Sequence, residues 1–200
     1  MTTDPIDLLY AALGNLRAAS SDFDLNPETV LPEGRKLRPA GVLVPILIAD
    51  GAARVYLTKR SSALKHHPGQ IAFPGGKQDP ADATIEDAAL REASEEIGLS
   101  PGNVEVLGQM PTHETVTSFS VTPVVGLIRK PFVPVPEPGE VEEVFDVPLM
   151  HLMTQARYSI QWRHWRGSRR RYYTVPFGPY YIWGATARIL RAMADAAENI

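Results

Sequence analysis

The densest chemistry in the chain lies between Gly69 and Leu99, GQIAFPGGKQDPADATIEDAALREASEEIGL. Its last third carries Glu92, Glu95 and Glu96, and spacings of three and four put these carboxylates on one side of a helix, about one turn apart. Like charges so close repel one another and weaken a helix. A divalent cation over them removes the repulsion, and Mg²⁺ and Mn²⁺ both take oxygen ligands. The competing reading is a solvated helix face, which is what most charge runs are. Ile85, Ala88 and Ala89 weigh against it, because they share the side of the glutamates and set the carboxylates at the rim of a packed surface. Upstream, Gly75 and Gly76 suit a tight loop. In front of them, residues 59–70 hold Lys59, Arg60, Lys65, His66 and His67. Basic loops are often only solvated connections. One that abuts a glycine loop and an acidic cluster is placed to hold phosphates, with Arg60, Lys65 and His67 as the candidates.

These groups need a scaffold, and the pattern supplies one. A helix is expected over 85–97, with Thr84 and Asp87 as its capping box and Gly98 at its stop. Leu90, Ala93 and Ile97 would be its core stripe, and Asp87 and Arg91 an i, i+4 pair from which Arg91 also restrains Glu92 or Glu95. Apolar, β-branched runs at 42–49 and 53–58 flank Asp50-Gly51, a hairpin signal. Further strands are expected at 70–73, 103–110, 120–128 and 142–148, and a hairpin at 158–165 and 169–175 around Gly167-Ser168. An N-terminal helix over 4–19 is capped by Asp4, and an amphipathic helix over 184–198 closes the chain. Residues 20–40 are polar, hold Pro27, Pro32 and Pro39, and read as a connecting arm. Strands outnumber helices in mixed order, so the fold class is α/β, a sandwich with a mixed sheet between helices. The expected organisation is an N-terminal helix and arm over 1–38 and one domain over 39–200.

Composition bounds the partners. The 200 residues are 44% apolar and 22% charged, with net charge −3, as in a globular protein with no global field for DNA or an acidic membrane. The absence of cysteine excludes disulfides, thiolate zinc sites and a cysteine nucleophile. The longest apolar run, 40–49, is broken by Pro45 and too short to span a bilayer. With Asp4 and Asp7 in place of a basic start, a cytoplasmic location is expected. The run WRHWRGSRRRYY, 162–173, interleaves arginines with aromatics, a pattern that binds single-stranded nucleic acid or nucleotides. The favoured reading is a hairpin whose long basic chains discourage edge pairing, or a homodimer contact; nucleic acid is not the expected partner.

Gly76, then five intervening residues and Asp82, and then Arg91, Glu92, Ala93, Glu95, Glu96, Gly98 and Leu99 resemble the Nudix box. Two departures are visible: Asp82 stands for the usual glutamate, and the spacer before Arg91 is eight residues rather than seven. The segment 57–76, LTKRSSALKHHPGQIAFPGG, is similar to the signature of the coenzyme A diphosphatase branch of that family. Lys65 replaces the more usual arginine there and cannot reproduce its bidentate fork. The resemblance covers about 38–192 and implies the Nudix α/β/α sandwich, with Mg²⁺ or Mn²⁺ as cofactor. It implies Glu92, Glu95 and Glu96 as metal ligands, and Arg91 and Glu95 in catalysis. A further acid from outside the box serves as general base or ligand, with Glu114 and Glu140 ahead of Glu142 and Glu143, and His113 in the same neighbourhood. Arg60, Lys65, His67, Gln70, Gly75 and Gly76 would bind substrate. The implied substrate is a small molecule, coenzyme A or an acyl derivative, cut at its diphosphate. The alternatives are another diphosphate such as ADP-ribose, a non-catalytic ligand sensor, and an RNA-binding protein using 162–173.

Overall fold

The strand expected at 42–49 is longer than its apolar run, reaching from Arg38 to Ala49, and its side chains alternate between two cores. The computed structural model describes residues 4–16, 18–165 and 167–198. Arg17 of the expected first helix and Arg166 of the expected hairpin lie outside these residues. In chain order the elements are α1 (Pro5–Asn15), β1 (Ser20–Ser21), β2 (Arg38–Ala49), β3 (Ala52–Arg60), β4 (Ile71–Ala72), β5 (Gly75–Lys77), α2 (Ile85–Ile97), β6 (Val104–Gln109), β7 (His113–Glu114), β8 (Phe119–Ile128), β9 (Val141–Pro148), α3 (Leu149–Met153), β10 (Ser159–Trp165), β11 (Ser168–Thr174) and α4 (Ala185–Glu198).

The main sheet runs β1-β7-β8-β2-β3-β4, with β5 on β2, β6 on β8 and β9 on β3. β2 is parallel to β8 and antiparallel to β3 and β5, so the sheet is mixed, as expected. Leu43, Leu47, Val124 and Ile128 point to one face and pack on Ala89, Ala93 and Ile97 of α2. Val44, Ile46 and Val125 point to the other, toward Leu9 of α1 and Leu190 and Met193 of α4. Each such aliphatic side chain contributes about 1.5–3 kcal/mol on full burial. The result is the α/β/α sandwich. Among the described residues no helix is long and apolar enough to cross a membrane.

α2 carries the glutamates, and small residues bring it close to the sheet. A Cβ on Gly41 of β2 would lie 2.4 Å from the Ile85 carbonyl oxygen and 3.1 Å from the Ala89 nitrogen. Ala88, Ala89, Ala93 and Ile97 are fully buried at this contact, whereas Leu90 is only partly buried at its edge. The capping box is formed: the Thr84 amide donates to Asp87 Oδ2 at 2.9 Å and the Asp87 amide donates to Thr84 Oγ1 at 3.1 Å. That bond corrects the expected Asp87–Arg91 pair. Asp87 is committed to the cap, and Arg91 turns to other acids.

The arm is also more than a connection. Ser20–Ser21 adds to the sheet beside His113–Glu114. The His113 ring is fully buried, with Nδ1 2.9 Å from Ser20 Oγ and Nε2 3.3 Å from Asp22 Oδ1. Asn26 is 1% exposed; its Nδ2 donates to the carbonyls of Asp22 and Arg171, and its Oδ1 accepts from the Arg171 amide. The segment reads only as a connecting arm from sequence because the partners of its polar residues lie far along the chain. α1 itself packs on α4.

The Gly41 contact generates a prediction. Gly41→Ala should push α2 off β2 and cost about 1–3 kcal/mol, the usual penalty of overpacking. Denaturant unfolding measures it, and a change below about 0.5 kcal/mol, within the range of neutral surface substitutions, would contradict the contact.

Candidate active site

Arg91 ties the loop to the helix. Its Nε and Nη2 donate to the two carboxylate oxygens of Asp82, each at 3.0 Å. Nη1 donates to Glu92 at 2.9 Å and to Glu95 at 3.0 Å, and Nη2 also reaches the Lys77 carbonyl at 3.3 Å. The bidentate bond from Arg91 holds the Asp82 carboxyl below the ordinary range. Asp82 therefore has a definite role despite its shifted spacing: it fixes Arg91, and through Arg91 the loop 77–82.

The glycines are where the loop meets the carboxylates. Gly75 has φ +153°, and a Cβ there would lie 2.5 Å from both the Gly41 carbonyl oxygen and Val42 Cα. A Cβ on Gly76 would lie 2.5 Å from the Glu92 carboxyl carbon. The Gly75 amide donates to Glu96 Oε2 at 3.0 Å. Glu96 is 4% exposed, and burial pushes its pKa up to about 7 against the pull of the Gly75 amide and Arg60. Burial also raises Glu92, against the Arg91 hydrogen bond. Glu140 adds repulsion to both carboxylates. Its turn is anchored from two sides: the Glu137 amide donates to the Glu96 carbonyl at 2.9 Å, and the Ser61 amide to the Glu140 carbonyl at 2.8 Å.

The structure thus brings together Glu92, Glu96, Glu140, Arg60, Gly75 and Gly76. Glu95 is the exception within the helix, with 59% of its side chain exposed and its carboxylate on Arg91. Glu114 forms an ion pair with Arg35 and stands opposite Ser120 of β8, which in turn pairs with Pro39 of β2. It is therefore separated from β5 by two strands. Glu142 pairs with Lys59 at 2.6 Å, and Glu143 accepts from the Tyr180 hydroxyl. His113 is the buried clamp of the arm.

Beside the glycine loop opens a cavity of about 850 Å³. Of the basic loop, Arg60, His66, His67 and Gln70 line it, while Lys65 is exposed away from its wall. Burial first, and then Arg60, lower the His67 pKa. The rest of the wall comes from parts that the sequence reading assigned elsewhere: Arg163, Arg170 and Arg171 from the β10–β11 hairpin, Arg188 from α4, Arg38 from β2 and Asp22 from the arm. Tyr172 and Trp183 stand among them. The alternation of arginine and aromatic residues in 162–173 is the signal in the sequence for this part of the wall.

The donor set suits a hard divalent cation. Glu92 and Glu96 supply oxygens only, and burial and repulsion from neighbouring carboxylates, which raise both, are effects a dication would offset. Among the described residues no three acidic or histidine side chains converge closely enough to enclose an ion. Glu92 and Glu95 are turned to Arg91, and Glu96 to the Gly75 amide.

An α/β/α sandwich whose helix sets buried carboxylates against a glycine loop defines a hydrolase of pyrophosphate bonds. The chain belongs to the Nudix family: the NUDIX domain matches residues 37–168. An uncharacterised Nudix hydrolase, NudL, of Klebsiella pneumoniae subsp. pneumoniae is 43% identical over 157 residues, covering 78% of this chain and 81% of that protein. The NudL protein of Escherichia coli is 39% identical over 174 residues, covering 87% and 90%. A MutT/nudix family protein from Enterococcus faecalis shares the fold, with TM-score 0.54 and 18% identity over 86% of this chain and 66% of that one. Nudix hydrolases use divalent metal ions.

The raised Glu96 predicts a stability profile for the protein in EDTA. Its folded pKa lies above its unfolded value, so between about pH 4.5 and 7 the folded state holds a proton that the unfolded state has lost. Stability should then fall as pH rises through that window, by at most about 1.4 kcal/mol per unit from this group. Glu96→Gln should flatten the fall and leave the variant more stable than wild type at pH 8. Urea midpoints across pH 4–8 measure this; parallel profiles for the two proteins would refute it.

Proposed function

We propose that the protein is a coenzyme A diphosphatase, cutting coenzyme A or an acyl derivative to 3′-phosphoadenosine 5′-phosphate and (acyl) 4′-phosphopantetheine. One observation carries the reading. The cavity that opens beside Gly75 and Gly76 has Arg60, Arg163, Arg170 and Arg188 in its wall, with Asp22 the lone acid there among the described residues. That is more positive charge than a bare diphosphate calls for. The volume and the Tyr172 and Trp183 rings suit a nucleotide that carries further phosphate. The segment 57–76, which resembles the coenzyme A branch, contributes Arg60, His67 and Gln70 to the same wall.

Glu92 and Glu96 would hold the cation, which when bound neutralises phosphate oxygens and acidifies a bound water. Arg60 faces Glu96 and is set to hold the diphosphate at the cavity mouth. Glu140, whose charge reaches both Glu92 and Glu96, takes the proton as the water oxygen bonds to phosphorus and the bridging P–O bond breaks. Arg91 keeps Glu92 and the loop in place, and Glu95 serves the same local network. Arg60 meets the charge that develops on the leaving phosphate.

Product analysis with coenzyme A, acetyl-coenzyme A and ADP-ribose, each with Mg²⁺ and with Mn²⁺, tests the reading. Coenzyme A or its acyl form should be preferred, and a clear preference for ADP-ribose would overturn it. Glu140→Gln should lower kcat by roughly 10²–10⁴-fold with a smaller change in KM, and Glu114→Gln should stay near wild type. The reverse ranking would transfer the base to Glu114.

A further inference from the structure

The basic groups of the cavity are arranged in a file. Arg60 faces Glu96 at the carboxylate end and is felt by His67. His67 in turn feels Arg163, and Arg163 is felt by Arg170. Arg163 is held 4.2 Å above the Trp183 ring. Arg170 donates to the Asp22 carbonyl at 3.2 Å and lies 5.2 Å from the Phe23 ring centre. Burial and the nearness of Arg163 hold the Arg170 guanidinium below its ordinary value, against the pull of Asp22. The Arg163–Arg170 end of the file is therefore fixed and crowded with positive charge, and neither arginine is among the charges that act on Glu92 or Glu96. Guanidinium groups gathered on a wall of aromatic rings match a phosphate on a nucleoside.

The N-terminal arm builds this end. Asn26 bonds both backbone groups of Arg171, acting as a one-residue strand on the edge of β11. Asp22 is locked by the Val116 amide at 2.9 Å and by buried His113, and Asp24 pairs with Arg188 at 2.8 Å. Ser21, Asp22 and Leu25 themselves line the cavity. All of them precede the matched NUDIX domain, which starts at residue 37.

We propose that Arg163 and Arg170, positioned by residues 20–26, form a second anion subsite that takes a phosphomonoester on the nucleoside part of the substrate, apart from the diphosphate that is cut. The proposal deepens the coenzyme A reading, yet it can be tested without turnover. Calorimetric titration of the full chain in EDTA compares adenosine 3′,5′-bisphosphate with adenosine 5′-monophosphate. The bisphosphate should bind at least tenfold tighter to wild type. Arg163→Ala should reduce that preference to within about twofold while leaving the monophosphate affinity unchanged, and Arg163→Lys should restore part of it. Asn26→Ala should weaken the preference through the hairpin. Arg163 lies on an exposed strand, so its variant keeps the test valid if Asn26→Ala does not fold.

Equal affinities in wild type, or a preference that survives Arg163→Ala, would overturn the subsite. A full preference in folded Asn26→Ala would overturn the part given to the arm. Coenzyme A left uncleaved by a protein that still prefers the bisphosphate would overturn the substrate reading alone. Coenzyme A cleaved without that preference would overturn the subsite alone.

Discussion

Arg91 draws its acceptors from three stretches of chain: the Lys77 carbonyl, the Asp82 carboxylate, and Glu92 and Glu95 on its own helix. A planar guanidinium with a fixed fork of donors can do this, and an ammonium cannot. The consequence is that the loop and α2 behave as one piece. Gly76 then lies against Glu92 with no room for a side chain, and the Gly75 amide meets Glu96. The buried carboxylates are tolerable because this lattice of donors faces them. Loss of the fork would leave acidic groups crowded on a helix that is already pressed onto β2.

The parts of this arrangement that are local in sequence were legible. The capping box pairs residues three apart, the carboxylates recur at helical spacing, and the apolar, β-branched run of β2 announces a strand. What escaped depends on distant partners. The helical periodicity offered Asp87 to Arg91, but Asp87 has a nearer use at the cap, and Asp82 reaches Arg91 from outside the helix. Glu95 and Lys65 have the residue types for the site, yet Glu95 is exposed and bonded to Arg91, and Lys65 is exposed outside the cavity wall. A spacing rule fixes which face of a helix a side chain leaves, and not the direction it takes past a neighbouring arginine.

The arm failed to read as structure for a different reason. Ser20, Asn26 and His113 are polar, and composition equates polarity with exposure. Each is buried because its hydrogen bonds are met by residues far away in the chain. The arginine hairpin presents the same problem inverted. Its aromatic and basic pattern is consistent with edge protection or with a ligand wall, and its place in the cavity wall depends on α4 and the arm, which lie far away in the sequence.

This division has a physical logic. On the proposed reading, the metal-holding end takes Glu92, Glu96, its glycines and Arg91 from one loop and one helix on one side of β2, and only Arg60 and Glu140 come from elsewhere. Recognition of the organic part needs a wall that differs with the ligand, and it is assembled from segments that share no local constraint: the arm, the loop 66–70, β10, β11 and α4. Such segments can change without disturbing the Arg91 fork. On the proposed reading, a chain that keeps the helix and loop keeps its reaction class, while its substrate depends on what the arm and the hairpin bring to the other side of the cavity.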